Sequence, residues 1–259
     1  MLASSLLALG AALVSAVLGL AIYRLARTLW PVTDREDVDL AAMVIVRVGI
    51  LHALIVALAF AEVKQNEMHA RQLVAEEAVT AANVFYDLER FGAEATLPER
   101  RLLVRYAHDM VHGDWPELAA HGRLSMVAWQ SWRALVEGVL RLQPTDRRQE
   151  MILSRMVANT WKLEDQRQRR EADAYAAPHP AFWFTSVVGL VIICGCLAPY
   201  PPRGSTYALI AAFSGFTGAV LYLAYDVTTP FHGLWTIHPA GLESFLRQAG
   251  PAVLLAGGG

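Results

Sequence analysis

Residues 41–60 read "AAMVIVRVGILHALIVALAF", and whether this stretch spans a membrane decides the fold. An α-helix of about 20 apolar residues, rising 1.5 Å each, crosses the roughly 30 Å of bilayer hydrocarbon. Arg47 and His52 interrupt the apolar run. An arginine in hydrocarbon costs about 2.5–3.5 kcal/mol on insertion scales, so its presence calls for a role. Three remain open: a side chain snorkelling over the roughly 10 Å to the Leu40 end, an ion pair, or the lining of an aqueous path that would favour anions. Around the helix, Gly49, Ala53, Ala57 and Ala61 recur at every fourth residue, the spacing that lets two helices approach closely in lipid. Arg47 shares another face with Leu51, Leu54 and Leu58, and His52 shares a third with Val48, Ile55, Val56 and Ala59.

Working outward, residues 2–23, 182–200 and 205–225 are also apolar and free of Asp, Glu, Lys and Arg. The first has no basic flank before it, its apolar run of about 22 exceeds that of a secretory signal, and Arg24 and Arg27 follow it; it reads as a retained helix. By contrast, residues 62–177 hold 16 of the 22 Lys and Arg and 18 of the 24 Asp and Glu. From Ile50 to Phe91 there is neither Gly nor Pro, so the second helix can leave the bilayer unbroken, over roughly 63 Å. Gly92 is placed to cap its end.

Further helices are expected from Pro98 to Gly113, from Asp114 as N-cap through Leu142, and from Thr145 or Asp146 to the prolines after residue 177. No segment alternates like a strand. The chain is therefore expected to be an all-α membrane protein of four transmembrane helices, with a cytoplasmic helical bundle inserted between the second and third. Residues 1–61 hold the first two spans, 62–178 the insert, 179–225 the last two spans, and 226–259 an exit turn with Asp226, Pro230, Phe231, Gly233, Trp235 and Ile237 at the interface, followed by a tail. Lys64, Arg71, Lys162, Arg167, Arg169, Arg170 and Arg247 outnumber Arg24, Arg27, Arg35 and Arg203 across the membrane, which places insert and both termini in the cytoplasm.

Several chemistries are excluded. A net charge of −2 offers no footprint for nucleic acid. Cys194 and Cys196 point about 200° apart on a helix and read as small apolar fillers. His108 and His112 mimic a zincin pair, but Asp109 stands where that motif carries its catalytic Glu and there is no convincing third ligand, so no metal site is expected. There is no phosphate loop, nucleotide fingerprint or nucleophile elbow. Glu76 and Glu77 are adjacent and diverge by about 100°, which suits solvated or bundle-facing carboxylates better than acid–base catalysis. Neither an enzyme nor a cofactor is indicated.

The run "AEVKQNEMHARQLVAEEAVTAANVFYDL" (61–88), then "RRLLVRYAHDMV" (100–111), two apolar helices and "DVTTPFHGLWTIHP" (226–239) together resemble the bacterial bestrophin-like membrane family. The resemblance spans residues 40–248. It touches Arg71, Glu76, Glu77, Ala78, Arg105, Tyr106, Asp226, Pro230, Phe231 and Gly233, and departs at Val79 and Thr80, where Asn is common. It implies kinship with bestrophins, homopentameric anion channels whose apolar neck is built from the second membrane helix. A similar channel here would sit in the bacterial inner membrane among lipid and pass inorganic anions. Its pore would be lined by Val48, His52, Ile55, Val56 and Ala59, or by the Arg47 face. No bestrophin calcium clasp is matched. The competing expectation is a non-conducting membrane scaffold or sensor whose cytoplasmic helices bind a partner protein.

Overall fold

The uninterrupted apolar and then charged run after residue 35 folds as one helix. A computed structural model describes residues 2–29, 35–174, 180–228, 231 and 236–255, and all regular structure among them is helical. The helices are α1 (Leu2–Leu29), α2 (Arg35–Gly92), α3 (Leu97–Asp109), α4 (Trp115–His121), α5 (Met126–Arg141), α6 (Arg147–Ala174), α7 (Pro180–Cys196), α8 (Gly204–Val227) and α9 (Ala240–Leu255). The chain divides into two units. The first holds α1, α2 up to Asn66, α7 and α8; the second holds α2 from Glu67, α3 to α6, Phe231 and α9.

In the first unit, three described helices are long and apolar enough to cross a membrane: α1, α2 and α8. At 17 residues α7 is shorter, near the lower limit for a span. Helices α1 and α8 approach each other closely. A Cβ added at Gly218 would stand 2.4 Å from the Ser15 Cβ and 2.8 Å from the Ala11 carbonyl oxygen. Small residues at such a crossing let backbones meet, which in lipid replaces the missing hydrophobic drive. At one end, the Tyr23 hydroxyl and the Arg27 guanidinium both donate to the Tyr200 carbonyl at 2.8 Å, and Arg27 also reaches the Ala198 carbonyl at 3.2 Å. These carbonyls follow the C-terminus of α7, where a cation is favoured. Cys194 and Cys196 are free thiols; Cys194 is buried beside the Ser214 hydroxyl at 3.4 Å.

The second unit is a helical bundle around Leu88, Leu103, Tyr106, Met110, Leu135, Met156 and Leu163. Its helix boundaries correct the sequence reading in four places. Gly92 ends α2 without left-handed geometry, and the Thr96 hydroxyl closes the turn by donating to the Leu88 and Gly92 carbonyls. Gly113 does not stop a helix: α3 runs through a five-residue π-turn, Met110–Asp114, into α4. Asp114 is accordingly helical and caps nothing, because its carboxylate is turned into the core. The long helix expected from Asp114 is instead two. Gly122, the one described residue with positive φ (66°), ends α4, and Ser125 starts α5 by accepting from the Val127 N–H at 3.2 Å. The cap of α6 is as read, with Asp146 accepting from the Gln149 N–H at 2.7 Å.

The C-terminal stretch differs more. α8 ends at Val227, next to the expected Asp226. Phe231 and Ile237 are not interfacial anchors but core residues, 4% and 2% exposed. Phe231 stacks edge-on against Trp115, whose indole N–H donates to the Ile237 carbonyl at 2.9 Å. Pro230, Gly233 and Trp235 lie outside the described residues. The region read as a tail contains α9, which buries Leu242, Phe245, Ala249 and Val253 against the bundle.

Gly218→Val is expected to lower the thermal midpoint of the detergent-solubilised protein, since overpacking a tight contact costs about 1–3 kcal/mol. Gly10→Val, where an added Cβ meets nothing within 4 Å, should leave it near wild type.

Candidate functional site

Two features of α2 carry the chemistry, one in its apolar half and one beyond it. In the apolar half, the structure separates the faces that the sequence distinguishes. Arg47 is exposed on the subunit, together with Leu51, Leu54 and Leu58. His52 and Ala59 are turned inward, 5% and 6% exposed, with Val48, Ile55 and Val56 half-buried beside them. The His52 ring lies against Gly189 of α7 and 6.3 Å from the Phe213 ring of α8. The five-residue offset between Arg47 and His52 turns them about 140° apart, so one helix cannot present both to the same space. Gly49, Ala53 and Ala57 face a groove beside α8, and Ala61 is exposed; among the described residues no helix of the subunit closes on this small stripe.

Past Glu62 the helix is charged and lies outside the apolar stretch. There Glu77 takes a core position, fully buried in the second unit. Its carboxylate pairs with Arg170 of α6, whose guanidinium also donates to Asp114 Oδ2 at 2.7 Å and lies 4.4 Å over the Trp115 ring. Arg167, one turn earlier, grips Asp114 with two bonds, at 2.8 and 3.1 Å, and donates to the Ser125 carbonyl at 2.6 Å. The Ser125 N–H completes the Asp114 shell at 2.9 Å. Asp114 thus has both oxygens satisfied, whereas Glu77 Oε1, Arg170 Nε and the fully buried Tyr106 hydroxyl have no hydrogen-bond partner among the described residues.

In this core the two guanidiniums of Arg167 and Arg170 face Glu77 and Asp114, and Glu164 adds a third carboxylate 3.7 Å from Arg167. Burial nonetheless pushes the Glu77 carboxyl up from its ordinary 4.5 to about 7, against the opposing pull of Arg170. Burial also pushes the Tyr106 phenol well above its usual range, with Glu77 adding to it. The cluster can therefore change charge near neutrality at Glu77. Its net stabilisation is modest by the usual balance of desolvation against attraction, but removing one member would strand the others at about 3–5 kcal/mol.

The remaining motif residues are dispersed. Glu76 is exposed and accepts from Gln72 at 2.9 Å; Arg71 pairs with the buried Glu67 at 2.5 Å; Arg105 is 73% exposed and reaches Asp109 at 3.8 Å. Asp226 is buried in the first unit, and Ala78 packs where Gly241 of α9 approaches. His108 and His112 are exposed with ring centroids 4.3 Å apart. The sequence reading missed Asp114, Arg167 and Arg170 as partners of Glu77. The signal was present: on α6 the buried stripe Ile152, Met156, Thr160, Leu163 continues at the same spacing through Arg167 and Arg170. Two charges at core positions imply buried counter-charges.

Comparison with known proteins gives the fold a context. A family model described as Bestrophin-like domain matches residues 11–242. A crystal structure of a bacterial bestrophin homologue from Klebsiella pneumoniae, carrying one substitution, is similar with a TM-score of 0.62 at 13% identity, covering 98% of this chain and 99% of that one. A crystal structure of a membrane protein with a proline-to-alanine change is similar with a TM-score of 0.61 at 14% identity, covering 98% of each chain. Among curated proteins none matches.

A carboxyl raised on folding binds its proton more tightly in the folded chain than in the unfolded one. Its ionisation therefore withdraws stability as pH climbs from about 4.5 to about 7, and nothing further above that. The thermal midpoint of wild type relative to Glu77→Gln should fall across that window and stay level beyond it. A difference that is flat throughout would show that Glu77 keeps an ordinary pKa.

Proposed function

The chain belongs to the bestrophin-like family, and on that footing we propose that it is an oligomeric ion channel, anion-preferring, whose pore is built from α2. The observation that carries this reading is the free face of α2, where a single cation, Arg47, stands above a column of leucines. Four helices are too few to surround an aqueous path, so the pore forms between copies, in a closed ring as in the pentameric relatives that the sequence resembles. The wall of such a pore comes from residues left free by each subunit. That selects Arg47, Leu51, Leu54 and Leu58, since the His52 face is spent on packing inside the subunit.

A guanidinium contributed by every copy attracts anions to the constriction, and the leucines narrow and dewet it. α1, α2, the shorter α7 and α8 serve as the four spans. The second unit and both termini lie in the cytoplasm, and the protein sits in the cell inner membrane, surrounded by lipid on the outward faces of α1 and α8.

In planar bilayers, the purified oligomer should conduct with a chloride permeability above that for potassium, and Arg47→Leu should lower that ratio at an unchanged oligomeric state. An intact oligomer that passes no current would return the chain to the scaffold reading. Alkaline phosphatase fused after Gly92 should be inactive and a fluorescent protein fused there should glow; the reverse pattern would invert the orientation.

A further inference from the structure

The buried cluster in the second unit holds one charge too many. Glu77, Asp114 and Glu164 are buried carboxylates, and the cations that meet them are Arg167 and Arg170. Fully ionised, three carboxylates against two guanidiniums leave one net negative charge in the core, which a low-dielectric interior bears poorly. One bound proton removes it.

The hydrogen bonds single out the acid that takes this proton. Asp114 has both oxygens occupied, by Arg167, Arg170 and the Ser125 N–H. Glu164 keeps an open edge, 11% exposed, and accepts from the Gln168 amide at 3.0 Å, with Arg167 at 3.7 Å from its other oxygen. Glu77 is fully buried, with one oxygen on Arg170 and Oε1 bonded to nothing among the described residues. Burial raises its carboxyl to about 7, in the same direction as the bond count. Tyr106 faces the cluster from α3, and burial keeps its phenol protonated. From α6, Glu171 accepts from the Leu124 N–H at 3.0 Å, and Asp173 lies near His69 and Arg169. Charged side chains of α4 and α9 pair at the surface, as Glu117 does with Arg123 and Glu243 with Arg247, and those of α5 are exposed.

The closed cluster is also short of hydrogen bonds. Glu77 Oε1, Arg170 Nε, the Tyr106 hydroxyl and the side-chain amide of Gln166, one turn before Arg170, have no partner among the described residues. Water entering the cluster would satisfy all four. The π-turn Met110–Asp114 is where the bundle can yield, because Asp114 holds both arginines from its last position and its wider turn takes up movement without breaking α3 or α4.

We propose that this cluster is a proton-operated joint: with a proton on Glu77 the buried charges balance and the bundle is closed, and release of that proton opens it at the π-turn and lets water onto Glu77, Tyr106 and Gln166. The joint operates whether or not the protein conducts.

Trp115 reports on the joint, since its ring lies 4.4 Å beneath the Arg170 guanidinium and is 8% exposed. The full-length protein, carrying fluorinated tryptophan and held in detergent, can be titrated by fluorine NMR from pH about 5 to about 9, which brackets carboxyl and imidazole titration. The Trp115 resonance is the one missing from Trp115→Phe. It should move with a single midpoint near 7 and, on the alkaline side only, shift on transfer to heavy water, the sign of solvent contact. Glu77→Gln, the isostere of the protonated acid, should hold the acid-side position throughout. Two other groups could reach this signal: Asp173, and the exposed His238, whose neighbour Ile237 accepts from the Trp115 indole. Asp173→Asn and His238→Gln should both titrate as wild type. A resonance that does not move, that moves without a heavy-water effect, or that still titrates in Glu77→Gln overturns the proposal. Loss of the titration in Asp173→Asn or His238→Gln overturns it as well. If Glu77→Gln does not fold, wild type decides: infrared difference spectra with isotope-labelled glutamate should lose a protonated-carboxyl band at the same midpoint, and absence of that band overturns the proposal.

Discussion

A helix in hydrocarbon must satisfy every backbone N–H and C=O within itself, and α2 meets that constraint over its apolar half and then keeps the same hydrogen-bond ladder among charged residues. The absence of Gly and Pro from Ile50 to Phe91 is what permits this. Because both units draw on α2, a break in the helix would remove a wall from each. Its faces are consequently partitioned twice. In the apolar half, His52 and Ala59 pack inward and Arg47 stays free; further along, Ala70, Val74, Glu77, Ala81, Val84 and Leu88 form the inward stripe.

The second stripe shows why one acid in a core position shapes much of a bundle. Glu77 needs a cation, Arg170 supplies it, and Arg170 with Arg167 needs Asp114. For Asp114 to point inward rather than cap a helix, the chain from α3 into α4 widens through a π-turn, a form often met at sites under functional constraint. Ser125 then approaches closely enough to bond Asp114, and a Cβ on Gly113 would come within 3.0 Å of its hydroxyl. A single electrostatic demand thereby sets the local backbone, the break before α5 and the glycine between.

Much of this was legible beforehand. The long apolar helices, the unbroken α2, the cap of α6, and the bestrophin-like kinship rest on periodicity, composition and the order of motifs, all of which are local. Helix ends were less legible where tertiary contacts outweighed local signals. Gly113 looks like a stop and Asp114 like an N-cap, because a glycine before an aspartate is the usual signature of a break; burial of the carboxylate reversed both. Phe231 and Ile237 have the composition of a membrane interface, yet Trp115 claims both. The close helix crossing was sought at Gly49, Ala53 and Ala57, but within the subunit it lies at Ser15, Ser214 and Gly218, because small residues license an approach without naming the partner.

What the sequence by itself determined is the class of the molecule: an all-helical membrane protein, with α2 unbroken from its apolar half into its charged half, and an arginine and a histidine riding on different faces. Those follow from hydropathy and a 3.6-residue period. What only the tertiary structure decided is which face is free. Arg47 is left exposed and His52 is closed in by Gly189 and Phe213, because among the described residues α7 and α8 meet α2 on its His52 side. Likewise, Glu77 acquires its raised pKa from burial among residues up to 93 positions away, a depth that no local pattern encodes.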